Sequence, residues 1–469
     1  MSEEKHTISG RVLAAIFAVS LLSFMGIMTE TATNVTYPEL SRQFNISLDT
    51  TQWITAGYLL MVTIVMGTTA YLLKKVAAKK LQAFAVCAFI IGDLTSALAN
   101  SFPILMVGRL VQAMATGLAT PTMFHLIFTE VPREKLGEMT GLAAMVISLA
   151  PALGPTYGGL ISTNMSWQMI FWLILPFALV SLIMGQIFID SEPVQASAEP
   201  FSYVSFISLA LAMFVWIEAL SLIGKYGFVG RFWLMLVAAI ALFALFVYLN
   251  IHGKSQLVDL SIFRFPAVSL DGLTYFNLQF MNIGISLVIP VYAQYVLQAN
   301  AFIAGLILLP GTIVGAVVSP LAGHIADRHG FRLPVMIGNT LLVLGALLFW
   351  ACQDILTPML LMLFFLVLRT GFNFTFSNTI SNASVQVPMK NTADVSSIFN
   401  MIQQFAGATG VVFLASLMAI FQNRGTGSMA QRTYTGGRVD FIIMVVLAVL
   451  TFVICLSNYR RQARQTKKN

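Results

Sequence analysis

Charge is the scarcest property of this chain. Asp, Glu, Lys and Arg make up 10% of its 469 residues, against about 25% in soluble domains. That deficit excludes a soluble globule and a disordered chain. Cysteine is almost absent. Cys87, Cys352 and Cys455 stand far apart, each within an apolar stretch. They read as small buried hydrophobes and exclude both a disulfide scaffold and a metal site built on cysteine spacing. The chain also lacks a glycine-rich phosphate loop, a zinc motif and a nucleophile triad, which argues against an ATP-driven pump and against an enzyme. Two runs lack charge altogether: Met139 to Ile189, 51 residues, and Gly272 to Ala326, 55 residues. A bilayer crossing needs about 20 apolar residues, so each run holds two crossings and a tight turn.

What is present is apolar. Hydrophobic residues make up 58% of the chain and the mean hydropathy is +0.83. The sequence divides into fourteen expected spans, at 12–41, 51–73, 81–100, 103–128, 138–163, 166–189, 202–223, 231–251, 266–297, 301–326, 333–352, 355–386, 392–421 and 439–458. The first carries Glu3 and Glu4 on its flank and is long, so it reads as an uncleaved anchor rather than a signal peptide. The expected fold is an all-α polytopic membrane protein. The net charge of +7 sits in short loops and a basic tail, a topology signal rather than a nucleic-acid groove. Eighteen Lys and Arg fall on one side, among them Lys74, Lys75, Lys79, Lys80, Arg328, Arg332 and five after Tyr459. Six fall on the other: Arg42, Lys225, Arg231, Arg424, Arg432 and Arg438. Both termini are therefore expected in the cytoplasm, as the even span count also requires. The loops are too short for a soluble domain, so the chemistry lies in the membrane or at its faces.

Charged groups at bilayer depth are costly and face a cavity or a partner. They are Glu30, Asp93, Arg109, Glu218, Asp271 and Arg369. Glu30 lies about 27 Å along its span at 1.5 Å per residue. Away from water its carboxyl is a candidate for taking up a proton or a cationic ligand, the alternative being a structural helix-to-helix hydrogen bond. Asp93, past mid-depth in the third span, is a second proton carrier or a structural partner. Arg109 stays charged and needs a carboxylate or carbonyl near it; its depth matches that of Glu30. Glu218 reads as interfacial, and Asp271 as an acid favoured by a helix N-terminus. Aromatic and amide side chains on central spans are candidate substrate contacts: Tyr58, Tyr275, Gln279, Asn282, Tyr292, Gln294, Asn373, Asn378 and Gln404.

The chain also echoes itself. Gly323-His-Ile-Ala-Asp327-Arg328-His-Gly330-Phe-Arg332 follows the tenth span as Ala70 to Lys80 follows the second, and Gly108-Arg109-Leu-Val-Gln112 matches Leu368-Arg369-Thr-Gly371. This pattern predicts two six-helix halves, residues 1–189 and 253–469, with two helices inserted at 190–252. Gly154-Pro155 permits a bend, and Gly158-Gly159 lets a neighbouring helix approach closely. Pro290 and Pro310 are candidates for similar breaks in the second half.

In this order the segments resemble the major facilitator superfamily, in particular its fourteen-helix drug:proton antiporter branch (QacA/EmrB-like). Gly323 to Arg332 looks like the cytoplasmic loop motif, Arg109 with Gln112 like the membrane-arginine motif, and Gly154-Pro155 with Gly158-Gly159 like the antiporter motif. Glu30-Thr-Ala-Thr-Asn34-Val-Thr-Tyr-Pro38 is similar to the first-span motif, with Glu where Asp is usual. Trp53 to Leu59 and Trp167 to Pro176 also look like this branch. The first-half loop departs from the pattern: Lys74 stands where Asp is expected and Ala77 replaces a glycine.

The resemblance implies a multi-pass transporter of the bacterial cell membrane that exports amphipathic, often cationic drugs by alternating access. It implies protons as the coupling ion, no cofactor or metal, and a monomer. Glu30, Asp93 and Arg109 would couple protons, and Glu30 and Asn34 would join the aromatic and amide contacts to substrate. Gly154, Pro155, Gly158, Gly159, Gly323, Asp327, Arg328 and Gly330 would act in the conformational change. An exporter of one metabolite, lipid or peptide remains the alternative.

Overall fold

Without water, every backbone N–H and C=O must be satisfied internally, and a helix does this within one segment. The computed structural model describes residues 8–73, 75–132, 135–190, 201–253, 256–388 and 391–466, and no strand occurs among them. The long helices are α1 Gly10–Asn34, α2 Trp53–Leu73, α3 Ala78–Ala97, α4 Phe102–Glu130, α5 Leu136–Asn164, α6 Met169–Phe188 and α7 Tyr203–Tyr226. They continue as α8 Gly230–His252, α9 Pro266–Tyr295, α10 Ala301–His329, α11 Arg332–Ala351, α12 Pro358–Val385, α13 Thr392–Arg424 and α14 Met429–Thr466. Among the described residues, thirteen helices are long and apolar enough to cross a membrane. The remaining one, α5, is 29 residues long and carries a single charged residue, Glu138. Lys5, Lys74, Arg133, Lys254, Lys390, Lys467 and Lys468, all counted in the basic asymmetry, lie outside the described residues.

Three boundaries differ from expectation. The first span stops at Asn34 instead of running to 41, and the chain restarts as a short helix, Tyr37–Gln43, with Pro38 in its first turn. A proline there removes no intrahelical bond. The expected loop at 422–438 is mostly helix, because α14 already begins at Met429. Its first ten residues are polar apart from Met429 and Ala430 and contain no helix breaker besides Gly436 and Gly437, and a helix tip that leaves the bilayer has no need of apolar residues. The third difference is internal. Helix α6 breaks into two pieces, with Pro176 opening the second, as α10 does at Pro310, where a break is expected. Pro290, by contrast, stays within an unbroken α9.

The packing repeats along the chain. Helix α1 packs on α4, α5 and α6, while α9 packs on α12, α13 and α14. Helix α3 packs on α4 and α6 as α11 does on α12 and α14, and α2 lies on α4 as α10 lies on α12. The two groups meet where α2 touches α13 and α5 touches α10. Helix α7 lies against α13, and α8 lies against α7. We call the side where α1 begins and α14 ends the near face, and the opposite side the far face.

The far face is closed. At Gly158 on α5 a Cβ would lie 2.2 Å from the Ala32 carbonyl oxygen of α1, and at Gly159 it would lie 2.4 Å from that of Ala301 on α10. Two backbones touch at a glycine, as small residues permit in membranes. Nearby, Gln294 Nε2 donates to the Val35 carbonyl at 2.9 Å, and the Phe302 N–H donates to Thr163 Oγ1 at 3.0 Å. Buried Asp49 accepts from Asn423 Nδ2 of α13 at 3.3 Å and lies 4.0 Å from Lys225 Nζ of α7. Trp53 Nε1 donates to Ser221 Oγ of α7 at 2.9 Å. The inserted α7 therefore touches the seal as well as flanking the bundle.

Candidate functional site

Helices α1, α2, α3 and α4 bring one charged and polar cluster together in the buried interior. Arg109, Gln112 and Thr116 lie on one stripe of α4, at spacings of three and four residues that share a helix face. All three are buried, as are Thr29 and Glu30 on α1, Tyr58 on α2 and Asp93 on α3. Arg109 Nη1 donates to Gln112 Oε1, and Gln112 Nε2 donates to Asp93 Oδ1 and, at 3.3 Å, to Thr29 Oγ1. The guanidinium lies 4.2 Å over the Tyr58 ring, a cation–π contact strengthened by the absence of water. Tyr58 donates to the Gly26 carbonyl of α1 at 3.0 Å and shares a 2.6 Å bond with Thr116 Oγ1.

Arg109 therefore finds a carbonyl oxygen, one of the two partners expected for it, and the oxygen belongs to its own helix. Its Nε and Nη2, together with Asp93 Oδ2, have no hydrogen-bond partner among the described residues. Glu30 is 4% exposed, and its carboxylate makes no hydrogen bond or ion pair among them. Coulombic attraction from Arg109 reaches both Glu30 and Asp93, so the cation serves two acids while bonded directly to neither. Asn34 lies at the end of α1, where Thr55 Oγ1 donates to its Oδ1 at 2.7 Å and Tyr37 donates to Thr55 at 2.6 Å.

This arrangement makes Gln112 the bridge of the cluster. Gln112→Leu would leave a buried guanidinium without its acceptor and Asp93 without its donor. Leaving a buried polar group without its hydrogen-bond partner costs about 1–3 kcal/mol, and more where the group is charged. The variant is expected to unfold at a clearly lower temperature in purified form; an unchanged melting midpoint would mean the bridge carries no energy.

Among the described residues, the second group of helices has no matching cluster around Arg369. Arg369 on α12 lies 4.8 Å over its own helix's Phe372 ring, with Nε unpartnered. The candidate contacts on α9 separate into two places. Tyr275 donates to Gln403 Oε1 at 3.2 Å and stacks 4.7 Å from Phe376. It lies on α9 with Gln279 and Asn282, which share a 3.4 Å bond, and the half-buried Gln404 is the chain neighbour of Gln403. Tyr292 and Gln294 lie instead at the far face, where Tyr292 packs on Phe441 and Gln294 reaches α1. Asn373 and Asn378 turn back to carbonyls of their own helix, Arg369 and Phe374, at 2.8 and 2.9 Å.

Asp271 is also not a helix-end acid. It is the sixth residue of α9, and its two oxygens accept from Asn382 of α12 at 2.6 Å and Asn458 of α14 at 2.8 Å. At the near face Gly330, with φ 79°, ends α10, and Asp327 and Arg328 are exposed with no ion pair or hydrogen bond among the described residues. The conformational glycines of α5 thus sit in contacts, while an added Cβ at Gly323, which lies within α10 rather than in a loop after it, or at Gly330 at its end would meet nothing within 4 Å. Asp440, buried on α14, was missed because it borders the polar stretch read as a loop.

Comparison with known proteins agrees with this architecture. A model of the Major Facilitator Superfamily matches residues 19–411. The chain belongs to that superfamily. The lincomycin resistance protein LmrB of Listeria innocua is 34% identical over 414 residues, 88% of either chain. The multidrug resistance protein Stp of Mycobacterium tuberculosis is 25% identical over 409 residues, covering 87% of this chain and 76% of that one. Among solved structures, a peptide transporter POT in complex with sulfate superposes with a TM-score of 0.70 at 12% identity, over 96% of this chain and 95% of that one. A bacterial homologue of the human lysosomal transporter Spinster, in an inward-facing and unoccupied conformation, gives 0.69 at 13%, over 96% and 98%. At these identities the solved structures share the major facilitator fold. This major facilitator is a multi-pass membrane transporter of small molecules and not an enzyme.

Proposed function

We propose that this transporter exports amphipathic, often cationic drugs in exchange for protons, as a member of the fourteen-helix antiporter branch. The observation that carries the reading is the buried set of two acids and one cation: Arg109 and Asp93 are bridged by Gln112, and Glu30 lies buried on α1 without a bonded partner among the described residues. A carboxyl that can hold either a proton or a cationic substrate makes the two compete for one charge. The names of the relatives, lincomycin resistance and multidrug resistance, support a drug as the cargo. Alternating access would open the near face while the α1–α5–α10 contacts hold the far face shut, and then reverse. The basic asymmetry of the loops supports a cytoplasmic near face with both termini inside.

The test is transport in proteoliposomes with an imposed pH gradient. Lincomycin and a panel of cationic, zwitterionic and neutral dyes are followed with the gradient present and then collapsed. Uphill movement of several cationic members, abolished when the gradient is collapsed, is the expected result. Transport of a single metabolite, lipid or peptide and of no drug would replace the proposal with a dedicated exporter.

A further inference from the structure

One buried acid stands outside the cluster on α1–α4 and has no partner among the described residues. Asp440 on α14 is fully buried, and neither of its oxygens meets a hydrogen-bond donor or a cation among the described residues. Its helix packs on α9, α11 and α13. The titratable and charged groups on these elements are accounted for elsewhere. On α9, Tyr292 accepts from Gln353 and Tyr295 lies at the far-face end, while Asp271 and Tyr275 are near the opposite end. On α11, Arg332 opens the helix at the near face, and Cys352 and Asp354 follow its end. On α13, Asp394 lies at one end, and Arg424 at the other donates to the Lys225 carbonyl. On α14 itself, Arg432 donates to the Gln422 and Gly427 carbonyls, Tyr434 donates to Asp354, Arg438 is exposed, and Cys455, Tyr459, Arg460, Arg461 and Arg464 lie about four turns or more away toward the near face.

The surroundings exclude water. Gly436, one turn before Asp440, sets α14 against the backbone of Met418, where an added Cβ would lie 2.9 Å from Cα. Gly437 sits under the Tyr292 ring, 2.7 Å from where its own Cβ would be. Phe441 and Met444 continue the apolar layer with Tyr292 and Phe349. A carboxylate in such a place has neither solvent nor counter-charge, and an uncompensated charge is strongly disfavoured there. A carboxylic acid is tolerated. Yet Arg438, only two residues away, is exposed, a rise of about 3 Å along the helix. A small separation of α14 from α9 and α13 at the far face would bring Asp440 to water.

We propose that Asp440 is a second proton-carrying carboxyl, on the opposite group of helices from Glu30, holding its proton while the far face is sealed and exchanging it with solvent when that face opens. The inference does not depend on Glu30 being the coupling acid. It stands on the isolation of a carboxyl buried without a donor or a counter-charge among the described residues.

Infrared spectroscopy of the purified full-length protein at neutral pH tests it. The carbonyl stretch of a protonated carboxylic acid is expected to lose one component in Asp440→Asn, and that component should persist in Glu30→Gln. In Asp440→Glu it should remain at a shifted frequency, which keeps the test open should the amide variant fold poorly. Titration to alkaline pH should release one proton fewer per chain from Asp440→Asn than from the parent. Identical carbonyl bands in parent and Asp440→Asn would overturn the proposal. A Glu30→Gln protein with full proton coupling and an intact Asp440 band would overturn the Glu30 reading alone.

Discussion

Glu30→Gln is expected to abolish proton-driven efflux while the protein still folds. The amide keeps the shape and the hydrogen-bonding capacity of the acid but carries no exchangeable charge, so it stands for the protonated form permanently. Nothing in the packing resists the change, because the Glu30 carboxylate makes no hydrogen bond or ion pair among the described residues. Its separation from Arg109 matters for the same reason. A carboxyl locked to a guanidinium would be a poor proton carrier, whereas one that feels the cation without bonding to it can cycle. Moving one net charge along the potential contributes about 2.3 kcal/mol per 100 mV, which sustains a substrate ratio of about 40-fold. The variant should lose that ratio for each proton it no longer carries. It should also bind cationic drugs more weakly. Asp93→Asn should do less, since Asp93 is already held by Gln112 and its amide can keep an oxygen facing that donor. The measurement is drug-evoked proton release from purified protein. Parental release from Glu30→Gln together with silence from Asp93→Asn would move the coupling role to Asp93.

Much of this site was legible in the sequence because charge in an apolar helix stands out. Glu30, Asp93 and Arg109 needed only their depth to be noticed, and the structure brings all three into one buried cluster around Gln112 and Tyr58. Depth could not say which groups touch. It suggested a Glu30–Arg109 pairing, whereas the guanidinium turns to Gln112 on its own helix, because residues three apart on one face are nearer than anything across a helix gap. Amides were the least legible. Asn378 and Asn373 satisfy themselves on their own helices, and Gln294 fastens the far face. An amide in a membrane helix has both choices, and only the packing decides. Asp271 illustrates the converse. Its position near the start of α9 suggested a dipole effect, but its partners Asn382 and Asn458 come from 111 and 187 residues away, a relation no local pattern contains. Asp440 escaped for a boundary reason: polar residues before it marked a loop, while the chain there is already helix.

Gly158→Leu is expected to reduce efflux at least tenfold while leaving the protein in the membrane. The glycine occupies the point where α5 meets α1, and even one added carbon would lie 2.2 Å from the Ala32 carbonyl oxygen and 2.8 Å from its carbon. The neighbour is backbone, so it cannot rotate away; the two helices must separate. Overpacking of this kind costs about 1–3 kcal/mol, small against the packing of fourteen helices but comparable with the energy differences that set the balance between conformations. The next residue, Gly159, touches α10 in the same way, so separation at Gly158 also loosens the contact between the two halves of the transporter. The far face should then be poorly sealed, and the variant should pass drug downhill without building a gradient. Gly158→Ala should lie between parent and leucine variant. Gly230→Leu on α8, where an added Cβ meets nothing within 4 Å, should transport normally and serves as the control for hydrophobic bulk. Proteoliposome efflux, scored against protein content in the membrane, separates the outcomes. Parental gradients from Gly158→Leu would show that the close approach of α5 to α1 plays no part in sealing the far face.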